Sequence, residues 1–308
     1  MNPQIEKLYR ISSQPSRLII GLMSGTSLDG LDVALCRFTG SGHETTIELI
    51  HFETVPYDIA FKDEIKSVFS KQQVSLEKVC LLNPWVGRVH AQLILSCLQK
   101  WGMQPADIDI IASHGQTIYH SPKLLHRQEK FGNATLQIGD GDHIAHDTGI
   151  ITLSDFRQKH LAAGGEGAPL AAYGDFLIFS KKREDRIMLN IGGIANFTYL
   201  PGTLQAKDVF CTDVGPGNTL MDALIQKHFP GRYFDANGEL ARSGRCNDQL
   251  LVALKDHSFF SQSFPKTTGP ELFNLPYLER AQQKSDTMNI SVQDAMATLN
   301  RFSADRIV

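Results

Sequence analysis

Residues 17–38 read RLIIGLMSGTSLDGLDVALCRF, and residues 186–200 read RIMLNIGGIANFTYL. Each stretch is an apolar run that enters a turn of glycine and small polar residues and leaves as a second apolar run. Runs of this composition and length are strands, and the turn makes each pair a hairpin. The first hairpin continues into a third strand at 46–53 (TIELIHFE), completing a meander. The second is followed by strand-like VFCTDV (209–214) and then by Gly215-Pro216-Gly217-Asn218. One device used twice in a chain of 308 residues predicts two α/β lobes of the same design, each with its own Gly-turn hairpin.

Helical apolar spacing covers 59–70 and 84–101, where Trp85, Val89, Leu93 and Leu98 share roughly one face. Strand-like IDIIAS (108–113), TLQIG (135–139) and IITLS (150–154) each hand over to a polar turn, and strand ends of that kind are where open α/β sheets place ligands. In the second lobe 219–229, 244–257 and 291–308 read as helices. The junction falls near 160–185, giving an N-terminal lobe over 1–170 and a C-terminal lobe over 171–308.

Composition narrows the partners. With 42% hydrophobic and 20% charged residues the chain has ample core material. A formal net charge of −3 argues against a nucleic acid or an anionic membrane held by bulk electrostatics, so phosphate has to be gripped by local donors. The first seventeen residues lack the apolar run of a signal peptide, and no stretch reaches the ~18 consecutive apolar residues of a membrane span. The five cysteines, Cys36, Cys80, Cys97, Cys211 and Cys246, form no CxxC pair. Such usage suits structural thiols in a reducing cytoplasm.

The turn Met23–Gly30 has what a phosphate site needs: glycine lets backbone N–H groups approach an oxyanion, Ser24, Thr26 and Ser27 add hydroxyls, and Asp29 offers a carboxylate to Mg²⁺. A plain tight hairpin has the same composition. The absence of GK[ST] and of GxGxxG sets aside P-loop and Rossmann folds. Ser154-Asp155-Phe156-Arg157 places a carboxylate at a strand end, where it can take a proton from an attacking hydroxyl or water; a surface ion pair or helix cap reads the same way. The loop Gly164–Leu170 can close over a ligand or serve as a linker. His114, Gln116 and Thr117 offer donors and acceptors suited to sugar hydroxyls; a loop histidine satisfied within the protein reads the same way. Asp142, His143, His146 and Asp147 invite a metal reading but match no ligand spacing, and Asp140 or Asp142 is better read as a helix cap, with Asp140 also reaching substrate. In the second lobe Gly192, Gly193 and Asn196 are placed to clasp phosphates, and Asp213 with Gly215 and Gly217 stands at a helix N-terminus whose free N–H groups favour anions; either turn also reads as merely structural.

Taken in order, GLMSGTSLDGLDVAL (21–35), SHGQT (113–117), LQIGDG (136–141), SDFR (154–157), GGEGAPL (164–170), LNIGGIAN (189–196) and DVGPGN (213–218) resemble the anhydro-N-acetylmuramic acid kinase family. That resemblance implies the duplicated actin-like, ribonuclease H-like ATPase fold with mixed sheets. It implies an ATP- and Mg²⁺-dependent homodimeric enzyme of peptidoglycan recycling that turns 1,6-anhydro-N-acetylmuramic acid, ATP and water into N-acetylmuramic acid 6-phosphate and ADP. It makes Asp155 the base and Gly25, Thr26, Ser27, Leu28, Asp29, Gly30, Leu31 and Asp32 the ATP turn. His114, Gln116, Asp140, Arg157 and Asp213 fall on the sugar side, with Arg157 holding Asp155 oriented. The family also carries a strand and a Gly-rich adenosine segment past the helix matching 291–308. On that count a sugar- or nucleotide-binding protein with impaired catalysis is an alternative expectation, as is a same-fold kinase for another amino sugar.

Overall fold

The structure is a computed structural model that describes residues 2–25 and 28–308. The chain divides into two compact units, one ending at Ile178 and one running from Phe179 to Val308.

The first unit opens with α1 (Pro3–Ser13), capped by the Asn2 side chain. β1 (Ser16–Ser24), β2 (Gly30–Thr39) and β3 (Thr46–Pro56) follow as an antiparallel meander. After α2 (Ile59–Val68) and α3 (Leu76–Lys100), β4 (Ile110–Ser121) returns parallel to β1. Beyond α4 (Lys123–His126) come β5 (Ala134–Ile138), α5 (Gly141–Thr148), β6 (Thr152–Leu153), α6 (Phe156–Ala162) and α7 (Ala171–Phe179). The sheet runs β3-β2-β1-β4-β5, with β6 also paired to β4. Strand alternation sends Leu31, Val33 and Leu35 of β2 into one core with Ile20 and Leu22 of β1, where all five are buried. Burial of each such side chain stabilises by about 1.5–3 kcal/mol.

Two sequence expectations are corrected here. SHGQT is not a turn after a strand; it lies inside β4. One edge pairs with β1 from Ile110 to Gln116, with a register shift between Ser113 and Gln116, while the other pairs with β6 at Ile111 and Ala112 and with β5 from Gln116 to Ser121, so that edge changes partners around Gly115. Gly115 has φ 71°, and a Cβ there would stand 2.7 Å from Ile138 O, so only glycine fits the switch. Helix α3 begins at Leu76, capped by Ser75, and runs through Pro84. Its buried stripe is Leu82, Val86, His90, Ile94 and Leu98; of the expected face Leu98 lies in that stripe, Val89 and Leu93 pack half-buried against the same core, and Trp85 is exposed. The displacement has a physical cause: His90 belongs to the core.

His90 Nε2 lies 3.0 Å from Tyr57 Oη, Tyr57 Oη lies 2.7 Å from Ser24 Oγ, and Ser24 Oγ donates to Gln116 Oε1 at 2.5 Å. Gln116 Nε2 reaches Thr117 O at 3.1 Å and Gly25 O at 3.4 Å. His90, Ser24 and Gln116 are all buried, and Tyr57 stacks on Phe61 with ring centroids 3.9 Å apart.

The second unit repeats the three-strand device. β7 (Arg186–Ile191), β8 (Ile194–Leu200) and β9 (Phe210–Pro216) form an antiparallel meander. Its helices are α8 (Thr219–His228), α9 (Glu239–Ser243), α10 (Asp248–Lys255), α11 (Leu275–Lys284) and α12 (Val292–Ile307). They enclose Leu220, Ile225, Leu250, Phe273, Met296 and Phe302. The helix expected over 244–257 is shortened to α10, because Gly244 abuts the backbone of Gln293 and Asn247 then caps a fresh start by accepting from Leu250 N. Among the described residues no helix is long and apolar enough to cross a membrane.

Burial pushes the His90 imidazole down to about 4. Its folded value thus lies below the ordinary ~6.5, and the native state binds fewer protons than the unfolded chain in that window. Stability is therefore fully present above about pH 6.5 and lost as pH falls toward 4, by about 2 kcal/mol at pH 5. Denaturant titrations at pH 7 and pH 5 should show this loss in the parent chain and a shallower one in His90→Gln; equal slopes would remove His90 from the balance.

Candidate active site

A cavity of about 290 Å³ opens in the first unit where one edge of β4 exchanges β6 for β5. β4 supplies Ser113, His114 and Gly115; the β5–α5 connection supplies Gln137 to Asp142; the end of β6 supplies Ser154 and Asp155; α6 supplies Gln158; and α3 supplies Asn83.

Asp155 has φ 61° and ψ 36°, the left-handed region, at the position just before α6. That conformation costs about 1 kcal/mol even for aspartate, which tolerates it better than most residues. Its side chain does not cap the helix. Nor does it pair with Arg157 as the sequence suggested: Arg157 Nε donates instead to His114 Nε2 at 2.9 Å. Both bland readings of SDFR, the cap and the ion pair, are absent, and the carboxylate is exposed on the cavity wall.

His114 Nδ1 stands 2.9 Å from Gly115 O, which only accepts, while Nε2 receives the Arg157 bond. The ring is therefore the neutral Nδ1–H tautomer. Burial, then the Arg157 cation, push its pKa below the ordinary value, against the Gly115 hydrogen bond. His114 lines the cavity with both nitrogens already engaged.

Asp140 Oδ1 caps α5, accepting from Asp142 N at 2.8 Å and His143 N at 3.4 Å. Oδ2 stands 3.5 Å from Asn83 Nδ2 at the cavity wall. Gln116, expected beside His114 at the sugar, is instead fully buried under the 25–32 turn with its amide committed to Ser24, Thr117 and Gly25. The strand period explains the separation: neighbours two apart across the Gly115 irregularity no longer share a face.

Several lining residues were not singled out from the sequence. Asn83 ties the loop to α3, accepting from Gly139 N through Oδ1 at 2.9 Å and from Asp140 N through its carbonyl at 3.2 Å. Its sequence signal is the Asn-Pro step inside a helix. Gln158 follows Asp155 by three residues, a spacing visible once α6 is recognised. Gln137 gives Nε2 to Thr117 and Thr135 and leaves Oε1 without a partner. Ser154 lies against Gly141, whose Cβ would stand 2.5 Å from Ser154 Oγ. Among the described residues no three His, Cys, Asp or Glu side chains converge to hold a metal, and His146 is exposed beside Asp147.

In the 25–32 turn, Thr26 and Ser27 lie outside the described residues. Leu28 and Leu31 point into the core, so any part they take in holding phosphate is through backbone. Asp32 accepts from Thr54 Oγ1 at 2.6 Å, and Asp29 is exposed. Gly30 begins β2 where a Cβ would meet Val55 O at 2.5 Å.

The second unit's glycine turns are bonded to each other. Gly217 N and Thr219 N donate to Gly193 O at 2.9 and 3.1 Å, and Asn218 N donates to Gly192 O at 2.9 Å. The expectation that these amides stand free for anions is corrected accordingly: the first amide of α8 is already used. Asn196 pairs in register with Asn190 and Asp213. Asp213 Oδ2 accepts from Thr268 N at 2.8 Å. Burial raises its pKa to about 6, Glu271 adds to the rise, and the Thr268 bond opposes it. The cavity lining comes wholly from the first unit, whereas Asp213 belongs to the second.

Replacing Asn83 by Ala leaves Gly139 N unpaired and should destabilise the chain by about 1–3 kcal/mol in denaturant titrations, whereas Asn83→Asp keeps the acceptor but sets a second carboxylate against Asp140 Oδ2 and should recover only part of that stability.

A family model described as Anhydro-N-acetylmuramic acid kinase matches residues 17–308. The anhydro-N-acetylmuramic acid kinase of Pseudoalteromonas atlantica is 59% identical over 307 residues, all of this chain and 77% of that protein. The protein of the same name from Caldanaerobacter subterraneus is 39% identical over 305 residues, 99% of this chain and 77% of its own length. Among solved structures the Lmo2764 protein of Listeria monocytogenes aligns at 12% identity over 94% of this chain and 77% of that one, with a TM-score of 0.27, too low to bear on the fold. Match and identity span both units, and the chain belongs to the anhydro-N-acetylmuramic acid kinase family.

Proposed function

We propose that this chain is an ATP-dependent kinase that opens 1,6-anhydro-N-acetylmuramic acid with water and phosphorylates the released O6, giving N-acetylmuramic acid 6-phosphate and ADP. The observation that carries the reading is Asp155: an exposed carboxylate on the cavity wall, held in a left-handed conformation, with neither cap nor ion pair to explain it.

In this reading Asp155 takes a proton from a water molecule as the water oxygen bonds to the anomeric carbon. The bond from that carbon to O6 breaks, and O6 bonds to the γ-phosphorus as the bond to ADP breaks. The base has to reach only the water, and an unpaired carboxylate is suited to that. Asp140 Oδ2 stands at the wall of the same cavity as an acceptor for sugar hydroxyls. Arg157 keeps His114 neutral and fixed, so the wall beside the base neither rotates nor gains charge.

Phosphoryl transfer asks mainly for positioning and neutralisation of charge. The backbone of Gly25 and Leu28 to Asp32, with Thr26 and Ser27, is assigned to the phosphates. Asp29 is an exposed carboxylate of the kind that takes Mg²⁺. Mg²⁺ keeps several waters and one or two carboxylates besides the phosphates, so a single exposed aspartate suits that ion. When bound, the ion offsets the charge of the β- and γ-phosphates. The reading includes a cytoplasmic homodimer, which sedimentation of the purified chain would test.

The test is a coupled ADP-release assay with and without the anhydro-sugar. ADP release should require the sugar, and Asp155→Asn should lower kcat by about 10²–10⁴. Its KM for sugar and its denaturation midpoint should stay near those of the parent, because asparagine also tolerates the left-handed region. Near-normal turnover by Asp155→Asn would remove Asp155 as the base.

A further inference from the structure

The buried chain from His90 to Gln116 has only one possible set of donors. Gln116 Nε2 faces two carbonyl oxygens, Thr117 O and Gly25 O, so the amide nitrogen is on that side and Oε1 faces Ser24. A carbonyl oxygen only accepts, so the single Ser24 proton is committed to it. Tyr57 must then donate to Ser24, and His90 must donate to Tyr57 from Nε2. Nδ1 of His90 is left as a bare acceptor, and it is indeed a buried atom without a partner. The direction of every bond is fixed by the one before it, and the series ends on Gly25 O, the carbonyl that also accepts from Leu28 N across the turn at 3.4 Å.

A sequence of satisfied bonds this deep in the core, running from the middle of α3 to the first peptide of a surface turn, is more than packing requires. Phenylalanine and leucine would fill the same volume without an orphaned nitrogen. We propose that Gln116 and Tyr57 are positioning residues for ATP: they hold the Gly25 peptide plane from below, and Gln116 therefore governs the nucleotide and not the sugar. The proposal rests on the kinase reading and names the ligand served by a residue whose neighbour His114 faces the sugar cavity.

The experiment measures ATP binding by calorimetry without sugar, and KM for ATP and for the anhydro-sugar, in the full chain and in Gln116→Met, Tyr57→Phe and the double variant. Each single change should weaken ATP about tenfold, equivalent to ~1.4 kcal/mol, with the sugar KM moved by less than about twofold. Because the two residues act through one series, the double variant should be no weaker than Gln116→Met alone. Ile94→Val, which trims the same helix in the core away from the series, controls for lost stability: its melting point should fall while ATP affinity holds. Tyr57→Phe keeps shape and carries the test if Gln116→Met does not fold. Nitrogen-15 spectra should show His90 protonated at Nε2. The proposal is overturned by a shift in sugar KM in place of ATP, by additive losses, by equal weakening in Ile94→Val, or by an Nδ1 proton on His90. A parent chain that binds no ATP sinks the kinase reading as well; a parent that binds ATP with unaffected variants sinks only this proposal.

Discussion

One strand cannot pair with the same neighbours along its whole length. β4 keeps β1 along one edge as far as Gln116, while its other edge pairs with β6 at Ile111 and Ala112 and with β5 from Gln116 onward, and the exchange opens a wedge in the sheet. The wedge is the cavity. Its floor is the switch itself, its walls are the segments that diverge from it, and its polar residues are those whose strand neighbours have moved away. Gly115 makes the exchange possible, because a side chain there would collide with Ile138 O. The position of Asp155, Asp140 and His114 around one space follows from that single backbone event.

The second unit solves a different problem with the same residue. Gly217 and Gly192 approach so closely that the carbonyl of one fills the place of the other's side chain, and three amides of the 215–219 segment close on the 192–193 turn. Ser303 of α12 adds a hydroxyl bond to Gly217 O at 2.8 Å. What looked in the sequence like two independent anion grips is one interlocked knot whose shape is set before any ligand arrives.

The hairpins, the repeated meander and the long helices were legible because period-two and period-3.6 patterns of Ile, Leu and Val report directly on which face is buried. Asp155 and Asp140 were legible from their place after apolar runs. Gln116 was not: in SHGQT it and His114 look like equals, and only the irregularity at Gly115 decides that one faces the cavity and the other the core. Arg157 was misassigned for a related reason, since SDFR puts it beside Asp155 in the chain while its true partner lies 43 residues earlier. The α3 stripe was misplaced because a histidine in a core is invisible to hydropathy until its tyrosine partner is known. Asn83 escaped notice because its role is tertiary, a helix residue tying down a loop 56 residues away.

The His114–Arg157 pair has a consequence for how the cavity meets changes in acidity. Histidine is the side chain that ordinarily changes charge near neutral pH. Here its one free lone pair is occupied by a guanidinium, a group that keeps its charge across the range in which cells live. A proton arriving from solvent finds no vacancy on the ring and would have to evict a cation to make one. The cavity's histidine is thereby a fixed strut, held in one tautomer by the carbonyl on one side and the guanidinium on the other.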